Sequence, residues 1–276
     1  MKFIDLFCGI GSFHQALKGH ECVLACDTDP MCRETYSINY EAQYVAGDVR
    51  EITRVPQADI VCAGPPCVSF STIGKKEGLN CANGDLINQV FRIVRLANPQ
   101  LVVLENVRNI LNFPEVVRLI YDTMSAMGFT VEHRTMNCKD YGIPQSRIRV
   151  FFICRKDATH PLEIEQRPTP TLGEFLGLNI VRPHSLTIRT TGRYSPITDE
   201  KHNWSHYRLM DGTVYRLTLD DCAKLQGFST FYLCGSQKRQ FKMLGNTIPT
   251  CLTKAVIGAA LKHLRVSPQM SPLVPV

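Results

Sequence analysis

Over the first 155 residues, apolar positions come in short unbroken runs, and between the runs they return at three- and four-residue intervals. "KFIDLF", "CVLAC", "ADIVCA", "LVVLENV" and "RVFFIC" are rich in β-branched and aromatic residues with few polar positions, which is how strands covered on both faces read. "SFHQALKG" and "DLINQVFRIVRLAN" instead gather their apolar residues on one side of a helix. This alternation predicts an α/β fold, a doubly wound and mostly parallel sheet with helices on both faces. From "RPTPTLGEFLG" onward the pattern breaks: prolines stand at 161, 168, 170, 183 and 196, and "HSLTIRTTGRYSPITDEKHNW" holds neither period. A second, smaller, irregular and partly β lobe is expected there. Helical spacing returns in "TLDDCAKLQGF" and "PTCLTKAVIGAALKHL", and "VSPQMSPLVPV" reads as a loose tail. The expected division is a main domain over 1–180 completed by 244–265, a small domain over 181–243, and a tail over 266–276.

With 276 residues, 44% of them hydrophobic, the chain can bury a substantial core. No run approaches the roughly 18 apolar residues of a membrane helix, and "MKFIDLFCGIG" lacks the order of a secretory signal. A cytoplasmic protein is therefore expected, on the nucleoid if its source is bacterial or phage. The twelve cysteines then stay reduced, and the absence of any CxxC argues against a metal site. A formal charge of +6 tilts the chain toward a polyanionic partner. The basic residues concentrate between Arg182 and Lys242, among them Arg189, Arg193, Lys201, Arg208, Arg216, Lys238 and Arg239.

In a doubly wound sheet, ligands bind outside the carboxyl ends of the strands, so the polar residues that follow each apolar run map the site. They are Asp5 to Gly11, Asp27, Asp48, Pro66 with Cys67, and Glu105 with Asn106. In "DLFCGIGSF", Gly9 and Gly11 occupy a strand-to-helix turn where a ligand can approach the backbone closely. A dinucleotide fingerprint needs a further glycine at position 14, where His14 stands, so a nucleoside cofactor without a pyrophosphate is favoured. Asp27 is placed to accept from ribose hydroxyls and Asp48 to receive an adenine amino group; the plain alternative for each is a surface acid.

Cys67 sits in "GPPCVSFS" behind two prolines that fix its backbone, ahead of a long polar segment suited to a lid. A rigidly mounted thiol at a strand end suits a covalent nucleophile better than a core cysteine. Glu105 closes an apolar strand, where a carboxyl is costly to bury unless protonated or paired. It reads as an acid of raised pKa, as the partner of Arg147 or Arg149, or as both.

Taken in order, "DLFCGIGSF", "GPPCVSFS", "ENV", "QSRIRVFFI", "RLTLDDCAKLQGF" and "GNTIP" resemble the motif series of cytosine-5 DNA methyltransferases, over about residues 3 to 260 and least between about 180 and 212. The resemblance implies a class I methyltransferase fold. It also implies S-adenosylmethionine as methyl donor, leaving S-adenosylhomocysteine, and methylation at carbon 5 of a flipped-out cytosine in a specific double-stranded DNA sequence through a Cys67 adduct at carbon 6. On the same ground Glu105 contacts the exocyclic amine and ring nitrogen 3, and Arg147 and Arg149 hold the base and the loop. Phe7, Gly9, Gly11, Asp27, Asp48, Pro66, Leu86 and Asn246 contact the cofactor, while Gln145 and Gly245 shape the backbone. Val68 departs from the Gln frequent after the nucleophile. Ser71, Arg189, Arg193, Asn203, Trp204 and His206 are the candidate DNA contacts, with Trp204 also readable as local core. A monomer with no metal and no membrane contact is expected. A transfer-RNA methyltransferase is the first rival, but the Cys-Phe-Thr associated with it before "ENV" is absent. A non-catalytic DNA-binding relative is disfavoured by the presence of Cys67 and Glu105, and a nicotinamide enzyme by His14.

Overall fold

The computed structural model describes residues 1–66, 85–156, 158, 160–191, 193–199 and 203–264. Its first half runs β1 (Lys2–Leu6), α1 (Ser12–Ala16), β2 (Glu21–Cys26), α2 (Pro30–Asn39), β3 (Val45–Ala46), β4 (Ile60–Ala63), α3 (Asp85–Ala97), β5 (Leu101–Val107), α4 (Pro114–Ala126), β6 (Thr130–Asn137), β7 (Gln145–Ser146) and β8 (Ile148–Arg155). The rest follows as α5 (Leu172–Leu176), β9 (Ser185–Leu186), β10 (His206–Arg208), β11 (Val214–Arg216), α6 (Leu219–Gln226), α7 (Gln237–Asn246) and α8 (Thr250–Leu261).

One seven-stranded sheet carries the molecule, in the order β3-β2-β1-β4-β5-β8-β6. β1 to β5 pair in parallel, and β8 enters antiparallel between β5 and β6. Order reverses beside β1, which leads out to β2 on one side and to β4 on the other, so the carboxyl ends of β1, β2 and β4 diverge around a crevice. The apolar runs are continuous because both faces are covered. Phe3, Ile60, Leu101, Val103, Phe151 and Ile153 join one core, while Ile4, Val61, Val102, Leu104 and Phe152 join the other. α3 and α4 cover the second face with Ile87, Val90, Val94, Val116, Ile120 and Met124. On the first face α8 returns beside α1, where Ser12 Oγ and Thr253 Oγ1 lie 3.1 Å apart.

Three elements escape the apolar pattern. β6 is an edge strand whose residues are mostly half-buried, so polar and apolar positions mix along "TVEHRTMN". α2 and α4 bury only Cys32, Thr35 and Tyr36, and Val116, Ile120 and Met124. Their legible signals lie at the ends, with Pro at the first helical position of each and Asp29 capping α2 by accepting from the Met31 N–H at 3.0 Å.

Beyond β8 the chain is irregular. β9 pairs in parallel with β7, and β10 and β11 form a separate antiparallel ribbon. Trp204, 1% exposed, and Leu217, fully buried, belong to the same core as Phe3 and Val256, so this part of the chain shares its interior with the main sheet.

Candidate active site

The turn after β1 is held by unusual backbone geometry. Phe7, Gly9 and Gly11 all lie in the left-handed region, with φ of 55°, 52° and 86°. Asp27, at the end of β2, braces this turn: its Oδ2 accepts from the Gly9 N–H at 2.8 Å and its Oδ1 from the Asp29 N–H at 2.8 Å. Burial pushes the Asp27 carboxyl above its ordinary pKa, against those two bonds. The two glycines differ in what surrounds them. A β-carbon on Gly9 would meet nothing within 4 Å, whereas one on Gly11 would run into the Tyr40 ring. Gly9 therefore fronts open space and Gly11 answers to packing.

Across the crevice, period two along antiparallel strands sets the charges. Glu105 is paired with Phe151 and Val107 with Arg149, so Glu105 and Arg149 share one face of neighbouring strands. Arg149 Nε meets Glu105 Oε1 at 2.9 Å. Burial raises the Glu105 pKa, with Arg149 and then Arg147 pulling it back. Asn106 Nδ2 donates to the Pro65 carbonyl at 3.0 Å, which ties the two prolines before Cys67 to the end of β5.

These two half-sites open into a single cavity of about 930 Å³. Phe7, Gly9, Asp27, Pro66, Glu105, Arg149 and Asn246 all line it. The structure therefore brings together seven of the residues singled out from the sequence, drawn from β1, β2, β4, β5, β8 and α7. Others lie elsewhere. Asp48 is turned to Arg50, whose Nε donates to it at 2.9 Å, and this bond holds its carboxyl below the usual pKa. Leu86, the second residue of α3, packs half-buried against the core. Arg147, 1% exposed, points inward, donating to the carbonyls of Ile188, Gly245 and Thr247 at 2.7, 2.9 and 2.8 Å. Cys67 and Ser71 lie outside the described residues, as do Val68 and the tail.

In the irregular segment before β10, Trp204 is core, its Nε1 donating to the Thr191 carbonyl at 2.7 Å. Asn203 is buried and accepts from the N–H groups of Ser205 and His206 at 3.2 and 3.0 Å. Arg193 stacks 4.0 Å over the Phe241 ring and donates to the Leu217 carbonyl at 3.1 Å. Arg189 is exposed and His206 half-buried, the latter with a pKa lowered by burial and by Arg216 and Arg193.

Met31, which sequence reasoning missed, also lines the cavity, and so do Arg239 and Lys242, which it had named only as part of a basic stretch. Arg239, Lys242 and Asn246 stand three and four residues apart on α7, a helical stripe visible in "QKRQFKMLGN". Lys242 Nζ lies 3.9 Å from Asp29, at the start of α2.

A family model for C-5 cytosine-specific DNA methylase matches residues 1–206. This chain belongs to that family. Among curated relatives, the type II methyltransferase M.MspI of Moraxella sp is 27% identical over 305 residues, covering 98% of this chain and 73% of the relative. The type II methyltransferase M.HhaI of Haemophilus parahaemolyticus is 36% identical over 160 residues, covering 56% of this chain and 49% of the relative. Solved structures share the fold. The Entamoeba histolytica methyltransferase EhMeth superposes with a TM-score of 0.76 at 16% identity, covering 96% of this chain and 99% of its own. The S. pombe Dnmt2 methyltransferase gives 0.76 at 14% identity, covering 95% and 99%. The chain is thus a class I, S-adenosylmethionine-dependent DNA cytosine-5 methyltransferase.

The cleft of the methyltransferase fits that donor. Where a nucleoside must lie against the backbone, the open side of Gly9 leaves room, and Asp27 retains acceptor capacity on both oxygens beyond its two backbone bonds. Bound there, the donor supplies an electrophilic methyl group. Among the described residues no cluster of His, Cys, Asp and Glu could hold a metal ion, and no helix is long and apolar enough to cross a membrane.

Proposed function

We propose that the methyltransferase acts on a cytosine rotated out of a specific DNA duplex into the Glu105 side of the cleft, with Cys67 as nucleophile. One observation carries this reading: the Phe7–Asp27 turn and the Glu105–Arg149 pair line the same cavity. Carbon 5 of cytosine attacks an electrophile poorly until a thiolate adds at carbon 6 and makes the ring electron-rich. Cys67 follows Pro66 directly, and Pro66 lines the cavity. Glu105 supports the addition. Its carboxyl, raised in pKa by burial, donates to ring nitrogen 3 and neutralises charge that develops there. Arg149 holds Glu105 in position through their 2.9 Å bond.

Phe7, Gly9, Asp27, Pro66 and Asn246 hold the donor. Arg147 acts behind the cavity, by organising the segments that line it. Residues 1–180 and 244–265 form the catalytic body, residues 181–243 the recognition lobe, and the protein works as a monomer without a metal. A brief target site suits a lobe this short. Arg189 and Arg193 provide its positive field toward phosphates, and His206, held toward its neutral form, offers a hydrogen bond beside them.

Duplex containing 5-fluorocytosine tests the mechanism, because fluorine at carbon 5 blocks release of the enzyme. Incubation with S-adenosylmethionine should give a covalent complex on a denaturing gel, absent for Cys67→Ala although that variant still binds duplex. A complex that survives Cys67→Ala would overturn the assignment. Bisulfite sequencing of DNA from expressing cells maps the target, and methyl transfer should be seen on duplex and not on transfer RNA.

A further inference from the structure

A fully buried polar joint connects the recognition lobe to the cofactor cleft. It is built on β7 and the residue after it. Gln145 Oε1 accepts from the Ile188 N–H at 3.2 Å, and Arg147 donates to the Ile188 carbonyl at 2.7 Å, so both backbone groups of one residue are held by one short strand. Gln145 Nε2 donates to the Leu225 carbonyl at 2.8 Å and to Gln226 Oε1 at 3.2 Å, and Gln226 in turn donates to the Leu244 carbonyl. The other arm of Arg147 takes the carbonyls of Gly245 and Thr247. Gln145 and Gln226 are both fully buried.

The geometry on the far side is equally tight. A β-carbon on Gly245 would stand 2.7 Å from the Arg189 carbonyl carbon and 2.8 Å from the Thr190 nitrogen, so residues 189–190 are wedged between the joint and the end of α7. Gly245, Asn246, Thr247 and Ile248 line the cofactor cleft. Residues 188–190 lead directly into Arg193 and the rest of the small lobe. Packed backbone and buried hydrogen bonds at this density do not deform gradually, and they carry displacement from one segment to the next.

We infer that Gln145, Arg147 and Gln226 are positioning residues that couple duplex engagement by the small lobe to cofactor affinity, acting through Ile188 and the Gly245–Ile248 wall. The inference rests on the reading of residues 181–243 as the recognition lobe. Coupling of this kind is reciprocal, so duplex must tighten cofactor binding by the same factor as cofactor tightens duplex binding.

Calorimetric titration with S-adenosylhomocysteine, alone and with a duplex bearing the mapped target, measures the factor. In the parent protein the duplex should tighten binding by at least about fivefold. Gln145→Met keeps the shape and removes the bonds to Ile188 and Leu225. It should leave affinity without duplex within about twofold while bringing the factor close to one. Gln226→Met gives the same readout should Gln145→Met fail to fold. A variant that only melts earlier, with the factor intact, marks the joint as purely structural and overturns the inference. A parent protein that binds duplex but shows a factor of one also overturns it. A parent that binds no duplex overturns the DNA reading itself, and the inference with it.

Discussion

Glu105 shows how much of the site one buried carboxyl concentrates. With Asn106 it is one of two polar residues in its strand, and the register with β8 delivers Arg149 to its side at the edge of the cavity. Glu105→Gln keeps the shape and removes the proton, and should lower kcat by about 10² to 10⁴ with little change in duplex affinity, measured under single turnover. The pH profile carries a sign. The pKa is raised, so the acid form persists above the usual carboxylate range, and turnover should fall as pH climbs through the raised value. Glu105→Gln should lose that limb. Folding obeys the same linkage: the native state binds this proton more tightly than the unfolded chain, so Glu105 costs stability as pH rises from the ordinary carboxylate range to its raised pKa. Glu105 was legible from its neighbours in sequence; its partner was not, because Arg147 and Arg149 are two residues apart on one short stretch and only pairing with β5 separates their roles.

The glycine turn between β1 and α1 separates two reasons for the same residue type. Both positions carry a positive φ, so alanine at either costs about 1–2 kcal/mol of backbone strain. At Gly9 the methyl group would enter the cleft, and Gly9→Ala should weaken S-adenosylhomocysteine binding about tenfold or more while costing only that strain. At Gly11 it would strike Tyr40, whose ring stacks on His14 at 4.1 Å. Gly11→Ala should therefore lower the denaturant midpoint by a clearly larger margin than Gly9→Ala, on the order of 3 kcal/mol in total. Equal effects of the two variants on both measurements would refute the distinction.

For the molecule as a whole, charge is arranged on the ribbon. Tyr207 of β10 faces the interior, so His206 and Arg208 face outward, opposite Arg216 and Val214 of β11. Arg182, His206 and Arg208 line a second cavity of about 470 Å³, and Arg216 lies 5.2 Å from the exposed Tyr194 ring. Among the described residues Arg182, Arg208 and Arg216 form no ion pair. Duplex affinity should therefore drop steeply with salt, and Arg208→Ala with Arg216→Ala should flatten the log–log slope by about 2. An unchanged slope would place the phosphates on another surface.

Chain order fixed the fold class, the strand ends and the family, because buried strands must be apolar throughout and chemistry must gather where they stop. Phe7, Gly9, Asp27, Pro66 and Glu105 follow from that rule, Arg149 and Asn246 from the motif resemblance, and all seven meet in one cavity. Tertiary packing alone sent Arg147 and Trp204 inward and brought Arg239 and Lys242 to the cleft. A charged or aromatic residue in an irregular segment has no period to say which way it faces, and its direction is settled by whichever carbonyls, rings and counter-charges the distant chain brings within reach.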